Sequence, residues 1–191
     1  ILLDILARYI PDQNILKLLK EVITSFNTQP GIGLPLGNLT SQLFANVYLN
    51  ELDQFVKHKL KAKFYIRYAD DFVILSEDKL WLNQIIPNIR QLLQDQLKLT
   101  LHPNKVNIKT LYSGIDFLGY ITLPHCRVLR TKTKRRMFKR VNQKNSASYR
   151  GLLKHCEGYE LERVLDSRFR GNDSGKKWND KIKCSFIMCD L

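Results

Sequence analysis

Two adjacent carboxylates between two strand-like segments constrain this chain more than any other feature. Lys63–Tyr68 and Phe72–Leu75 are rich in aromatic and β-branched residues, which predicts two strands. Only Ala69-Asp70-Asp71 separates them, and a connection this short is typical of a hairpin turn. The pattern therefore predicts an antiparallel hairpin with both acids at its tip.

A pair of aspartates at a hairpin tip has two interpretations. Aspartate is a common turn residue because its side chain accepts hydrogen bonds from nearby backbone N–H groups, so the pair can be purely structural. Alternatively, carboxylate oxygens are ligands for Mg²⁺, which proteins usually hold with one or two carboxylates plus substrate phosphates. Because side chains alternate along a strand, we expect Asp70 to be the direct ligand and Asp71 the weaker one.

Helical spacing of apolar residues surrounds the hairpin. It occurs over Ile1–Ile10, after Asp12, after Asn38 and over Lys79–Leu97. Further short strands are expected at Leu99–Leu101, Ile115–Leu123 and Arg127–Leu129. Helices and strands are mixed without a regular βαβ repeat, which favours an α+β fold with helices on one face of an antiparallel sheet.

A glycine-rich loop precedes the long helix that leads to the hairpin. Gly33 and Gly37 allow close approach of the backbone to a ligand. A helix that begins at Asn38 would present its N-terminus to a phosphate. The bland alternative is a plain loop with Asn38 as an ordinary N-cap of a core helix.

The charge of the chain indicates a polyanionic partner. Lys and Arg number 31 against 18 acidic residues, a formal net charge of +13. Such an excess is typical of proteins that bind nucleic acid or an anionic membrane surface, and it says nothing about fold. Basic residues are concentrated from Arg127 to Lys144, where no acid occurs. This segment is therefore a candidate phosphate-binding helix, or a merely solvated basic one.

The cysteines and the hydropathy narrow the class further. The four cysteines are scattered without the C-x₂-C spacing of a zinc site. No apolar run is long enough to span a bilayer, and the start of the chain lacks a signal-peptide pattern. We therefore expect a cytoplasmic protein with no membrane partner.

Four segments together resemble a known family. Tyr68-Ala69-Asp70-Asp71 resembles the Y-x-D-D box of reverse transcriptases, and Gly33–Leu49 resembles the box before it in the bacterial enzymes. Leu99–Lys105 is similar to the box after the metal hairpin, and Ile115–Tyr120 to the primer-grip hairpin. The four segments follow one another along the chain in the same order as in the family. Asn38–Gln42 is most similar to enzymes of diversity-generating retroelements and related bacterial lineages, whereas the related retron and group II intron enzymes more often have Gln where Leu36 stands.

The resemblance implies a polymerase palm that transfers dNTPs to a primer 3′-hydroxyl under the direction of an RNA template. It implies a DNA or RNA primer and Mg²⁺ or Mn²⁺ held by Asp70 and Asp71, with Lys105 assisting departure of pyrophosphate. The implied nucleotide and template contacts are Gly33, Pro35, Gly37, Asn38, Ser41, Gln42 and Tyr68. The implied primer grip is Phe117, Leu118 and Gly119, and the implied contacts to the nucleic-acid backbone are Arg130, Lys132, Lys134, Arg135 and Arg136.

The chain also departs from the family pattern. The family has a further catalytic aspartate on a strand before the region equivalent to Ile1. Neither Asp4 nor Asp12 takes that role, because Asp4 lies inside a helix pattern and Asp12 is the expected N-cap of the next helix. We therefore expect no useful polymerase activity from this chain alone. The expected organisation is a partial palm over residues 1–129, the start of a basic helical thumb over 130–163, and a disordered or foreign tail over 164–191.

The tail has a separate resemblance, because Ser167–Gly175 resembles peptides translated from short bacterial genomic repeats.

Two rival functions stay open. One is a non-catalytic, maturase-like RNA-binding remnant, whose binding would not depend on metal. Another is a nucleotide cyclase, a palm-fold enzyme that also uses carboxylate-bound metals but has no need of the basic segment. The template, the priming mode and the oligomeric state stay open.

Overall fold

A computed structural model describes the backbone of residues 1–25 and 39–169 and the side chains up to Asp166. The fold is α+β, as predicted, with helices and small antiparallel sheets. The chain forms two compact units, Ile1–Val106 and the part that begins at Asn107. The strands after Asn107 pair with one another within the second unit, and the assignment of residues 1–129 to a partial palm stays a prediction.

The first unit begins with three helices. They are α1 (Leu2–Ala7), α2 (Gln13–Thr24) and α3 (Leu39–Gln54). Asp12 caps α2 as predicted, since its side chain accepts hydrogen bonds from two backbone N–H groups of the first turn. A π-helical turn, Phe55–Lys59, extends α3 toward the hairpin.

The predicted hairpin is confirmed. Strands β1 (Phe64–Tyr68) and β2 (Asp71–Leu75) are antiparallel, with Tyr68 opposite Asp71 at the closed end. The second strand begins at Asp71 rather than at Phe72, so the turn consists of Ala69 and Asp70 alone. The pairing of Asp71 with Tyr68 extends the ladder to the tip, which is why the turn is one residue shorter than expected.

A helix and an apolar core support one face of the hairpin. Helix α4 (Lys79–Gln96) follows it, capped by the side chain of Asp78. The core includes Leu52, Val56, Phe72, Ile85, Ile89, Leu93, Leu97 and Leu101. The expected strand at Leu99–Leu101 is wrong: this described segment is irregular. Its apolar side chains fill the core instead, since Leu101 is buried and Leu99 packs against the cluster.

The second unit contains a three-stranded antiparallel sheet. Its strands are β3 (Ile115–Phe117), β4 (Tyr120–Thr122) and β5 (Arg127–Leu129), in that order. The single strand expected over Ile115–Leu123 is therefore two strands. Leu118 and Gly119 break it with φ values of +54° and +84°, and positive φ at both central residues is the conformation that two-residue hairpin turns favour.

Three helices complete the described part of this unit. They are α5 (Thr131–Arg140), α6 (Ser146–Leu153) and α7 (Tyr159–Phe169). The core is made by Leu129, Met137, Val141, Leu153, Leu161 and Leu165. Residues 164–169, which the sequence assigns to a disordered or foreign tail, continue α7, and Leu165 is completely buried. Residues 170–191 lie outside the described residues.

Within the described ranges, none of the helices combines the length and the apolar character that a membrane span requires.

Candidate active site

The tip of the β1–β2 hairpin places the two predicted metal ligands side by side. Asp70 is the second turn residue and is exposed, whereas Asp71 is the first residue of β2 and is half-buried. Cross-strand neighbours share a face of a sheet, so Asp71 lies on the same face as Tyr68, whose exposed fraction is 64%. The acids and the aromatic ring therefore border one exposed end of the hairpin.

The turn itself has an unusual backbone. Ala69, its first residue, has a φ of +53°, in the left-handed region that side chains with a Cβ disfavour by about 1–2 kcal/mol. Such a conformation persists where the surroundings hold it. Arg67 supplies part of that support, since its Nη1 donates a hydrogen bond of 2.8 Å to the carbonyl oxygen of Ala69.

The same guanidinium group joins the turn to helix α3. Its Nε donates to Oδ1 of Asp53 at 2.8 Å, and its Nη2 lies 2.6 Å from Oδ2 of the same carboxylate. Nη1 also donates to the side-chain oxygen of Asn46 at 3.2 Å. The two-pronged contact with Asp53 is the bidentate geometry that fixes both partners. We call Arg67 and Asp53 the clamp.

Tyr65 completes this network on the inner face of β1. Its hydroxyl donates to Oδ1 of Asp53 at 2.6 Å. Burial, followed by the hydrogen bond to Asp53 and its negative charge, raises the pKa of the Tyr65 phenol well above its usual value. The hydrogen bond to Asp53 likewise raises the pKa of Arg67. Near neutral pH, the phenol is therefore a neutral donor and the guanidinium a cation.

The acid pair fits a divalent cation only in part. Two hard carboxylate oxygens from neighbouring residues suit Mg²⁺ or Mn²⁺, which often keep water and substrate phosphate as their other ligands. In residues 1–25 and 39–169, no group of three or more His, Cys, Asp or Glu side chains comes together to hold a metal ion. The tip can therefore supply two ligands, and the rest would come from substrate and water.

The other predicted residues of the first unit are placed as follows. Ser41 is half-buried and Gln42 exposed, both in the first turn of α3. Lys105 is exposed in the turn after α4, where its backbone N–H donates to the carbonyl of His102 at 3.1 Å. The predicted nucleotide contacts Gly33, Pro35, Gly37 and Asn38 lie outside the described residues.

The predicted nucleic-acid contacts of the second unit form a turn and a helix face. Phe117, Leu118 and Gly119 are the end of β3 and the turn that follows it. Helix α5 exposes Lys132, Arg135 and Arg136, with Lys134 half-buried. Arg130 differs from these residues, because its guanidinium pairs with Asp116 at 2.5 Å. Its charge is thereby partly neutralised within its own unit.

Asp53 and Arg67 are the residues that sequence analysis missed. The available signal was the alternation along β1, which turns Tyr65 and Arg67 toward the same face. A charged side chain on the face that carries core residues needs a partner, because burial of an unpaired charge is costly. No sequence pattern names Asp53 as that partner, since it lies 14 residues earlier on another element.

Two comparisons agree with this architecture. The family model described as "Reverse transcriptase (RNA-dependent DNA polymerase)" matches residues 8–122, more than half of the chain, and this range includes the acid pair and the clamp. The chain is also similar to Protein YkfC of Escherichia coli (strain K12), with 27% identity over 63% of this chain and 42% of that protein. It thus spans less than half the length of this relative. By the match to the family model, the chain belongs to the reverse transcriptase (RNA-dependent DNA polymerase) family.

Proposed function

We propose that this chain is part of the palm of an RNA-directed DNA polymerase. The single observation that supports the proposal best is an acid pair at the tip of a hairpin inside the range that matches the family. The reaction would be the template-directed transfer of a dNTP to a primer 3′-hydroxyl. RNA template, DNA or RNA primer and dNTPs would be the partners.

In this proposal the chain's own residues bind and orient the substrates. Asp70 and Asp71 would hold Mg²⁺ or Mn²⁺, and Lys105 would assist departure of pyrophosphate. Bound ions would lower the pKa of the attacking hydroxyl and stabilise the negative charge of the leaving group. Exposed Tyr68 and the start of α3, with Ser41 and Gln42, would shape the nucleotide site, as would Gly33, Pro35, Gly37 and Asn38 before it.

The second unit would bind the nucleic acid. The turn formed by Phe117, Leu118 and Gly119 would act as the primer grip. The exposed basic residues of α5 would contact phosphates without reading sequence, which is how Lys and Arg side chains position most nucleic acids. Arg130 would contribute less than its neighbours, since it already pairs with Asp116.

We propose further that this chain alone has little polymerase activity. Two-metal transfer needs more ligands than one acid pair supplies, and the described residues bring no third carboxylate to it. Extension of a primed RNA template by the purified chain, lost in Asp70→Asn, would overturn this statement while supporting the polymerase assignment.

Metal-dependent nucleotide binding tests the assignment directly. We expect the chain to bind a dNTP in the presence of Mn²⁺, measured by calorimetry, and Asp70→Asn to weaken that binding by roughly tenfold or more. Asp78→Asn is the matched control, because Asp78 is an acid near the hairpin that only caps α4, and asparagine caps equally well. Equal affinity in Asp70→Asn and the control would contradict the proposal.

The alternative is a non-catalytic RNA-binding protein, and the basic face of α5 is the observation that favours it. Affinity that depends on phosphate contacts falls steeply with salt. RNA binding that keeps a steep salt dependence, but is unchanged by EDTA and by Asp70→Asn, together with no metal-dependent dNTP binding, would support this alternative over the polymerase.

A further inference from the structure

The guanidinium group of Arg67 binds several acceptors at once. Arg67 makes four hydrogen bonds, two to the carboxylate of Asp53, one to Asn46 and one to the Ala69 carbonyl. Its side chain is only 9% exposed, although it carries a full charge. A planar guanidinium can serve these acceptors together because its N–H groups point in fixed directions. One group therefore ties α3 to the backbone of the turn.

The turn needs such a support. A two-stranded hairpin is marginally stable by itself, and within residues 1–25 and 39–169 strand β1 pairs with β2 alone. Ala69 also adopts a left-handed φ that alanine disfavours. The peptide group that carries the Ala69 carbonyl leads directly into Asp70. A hydrogen bond to that oxygen therefore restricts the backbone from which the first of the two acids projects.

We infer that Arg67, held in place by Asp53, is a positioning residue that preorganises Asp70 and Asp71 for a divalent cation. The inference rests on the proposed function, in which these acids bind the metal. Arg67 acts through the backbone of Ala69 and is not itself a ligand. Groups of this kind, which orient metal ligands without touching the metal, typically change metal affinity by about 10- to 100-fold when they are removed.

Arg67→Lys separates a positioning role of Arg67 from a general effect on the stability of the fold. Lysine keeps the positive charge beside Asp53, but its compact ammonium cannot bond both carboxylate oxygens and the turn carbonyl in the same planar geometry. Arg8→Lys is the matched control. Arg8 pairs with Glu51 on the same helix α3 at 3.4 Å and is 62% exposed.

The experiment uses nuclear magnetic resonance on the ¹⁵N-labelled full chain, with two measurements. Without metal, we expect Arg67→Lys to lower the heteronuclear NOE of the amides of residues 69–71 and to leave the amides of α4 unchanged. With Mn²⁺, we expect paramagnetic broadening of the same turn amides in the unmodified chain, and an affinity about tenfold or more weaker in Arg67→Lys. Arg8→Lys should match the unmodified chain in both measurements.

The outcomes separate the two proposals. If the unmodified chain shows Mn²⁺ broadening at the turn and Arg67→Lys keeps both backbone order and affinity, the positioning role is overturned while the proposed function stands. If Mn²⁺ does not broaden the turn of the unmodified chain, the proposed metal site is overturned, and the metal role of Arg67 falls with it. Should Arg67→Lys fail to fold, Asp53→Asn tests the same clamp from the α3 side, with the same two results expected.

Discussion

In two hairpins of the described residues, different groups of an arginine bind a turn carbonyl. Each has a two-residue turn with a carbonyl that an arginine binds. In the first hairpin, the side chain of Arg67 donates to the carbonyl of Ala69 at 2.8 Å. In the second, the backbone N–H of Arg130 donates to the carbonyl of Gly119 at 2.9 Å. The side chain of Arg130 is thereby left to pair with Asp116.

The difference follows from the number of strands. The second hairpin has β5 as a third strand, so the chain that follows β5 reaches its turn with a backbone group. In the part of the chain that the structure describes, the first sheet has two strands, and the side chain of Arg67 binds the carbonyl of its turn. A turn held by backbone tolerates side-chain changes, whereas a turn held by one side chain depends on it. The acid pair thus lies on the more vulnerable of the two turns.

The largest expected difference comes from removal of the two acidic partners. Asp53→Ala leaves the guanidinium of Arg67 without its main partner, and that side chain is 9% exposed, so we expect a loss of about 3 kcal/mol. The side chain of Arg130 is already 29% exposed, so water can hydrate it when Asp116→Ala removes its partner. We expect that substitution to lower stability by about 1 kcal/mol. Hydrogen exchange of peptides from each hairpin measures both losses. Equal losses in the two hairpins would contradict the comparison.

A smaller pair of effects concerns the turn backbones. Gly119→Ala places a side chain at a φ of +84°, and we expect it to destabilise the second hairpin by about 1 kcal/mol. The new Cβ would lie 3.4 Å from Oγ1 of Thr133, an ordinary contact, so the cost is mainly backbone strain. Ala69→Gly is expected to have the opposite sign, because relief of the strain at a φ of +53° slightly outweighs the chain entropy that glycine adds to the unfolded state.

Ala69→Gly should raise the free energy of unfolding by at most about 0.5 kcal/mol, since the relief of backbone strain and the added entropy of the unfolded chain nearly cancel. Leu118→Gly is the matched control in the other turn, with a φ of +54° and a side chain that is 45% exposed. Urea unfolding of the three variants measures these changes. A stabilising Gly119→Ala, or a destabilising Ala69→Gly, would show that the turn conformations differ from those described here.

The same comparison explains what the sequence could predict. The β1–β2 hairpin follows from local alternation and a short connection, and the cap at Asp12 follows from its side-chain chemistry. The local pattern predicts a single strand through Leu118-Gly119, because one glycine in an apolar run does not distinguish a bulge from a turn. The clamp could not be predicted, since the partner of Arg67 is set by packing between α3 and β1.

The smallest expected effect is that Tyr65→Phe leaves the tyrosinate absorbance of the folded chain unchanged. Burial and the Asp53 carboxylate raise the pKa of Tyr65, so the folded state keeps this phenol protonated where the unfolded state ionises, from about pH 10 upward. The stability that this phenol contributes is therefore fully present below about pH 10 and is lost as the pH rises above it. Burial also raises the pKa of Tyr120, whose hydroxyl donates to a backbone carbonyl rather than a carboxylate.

Tyrosinate absorbance of the folded chain just above pH 10 should therefore be the same with and without Tyr65→Phe. In urea, the variant should lose one part in eight of the signal, because the chain has eight tyrosines. If Tyr65→Phe lowered the tyrosinate signal of the folded chain, Tyr65 would be ionised beside Asp53. Two anions would then face Arg67, and the hydrogen bond that the Tyr65 hydroxyl donates to Asp53 could not exist.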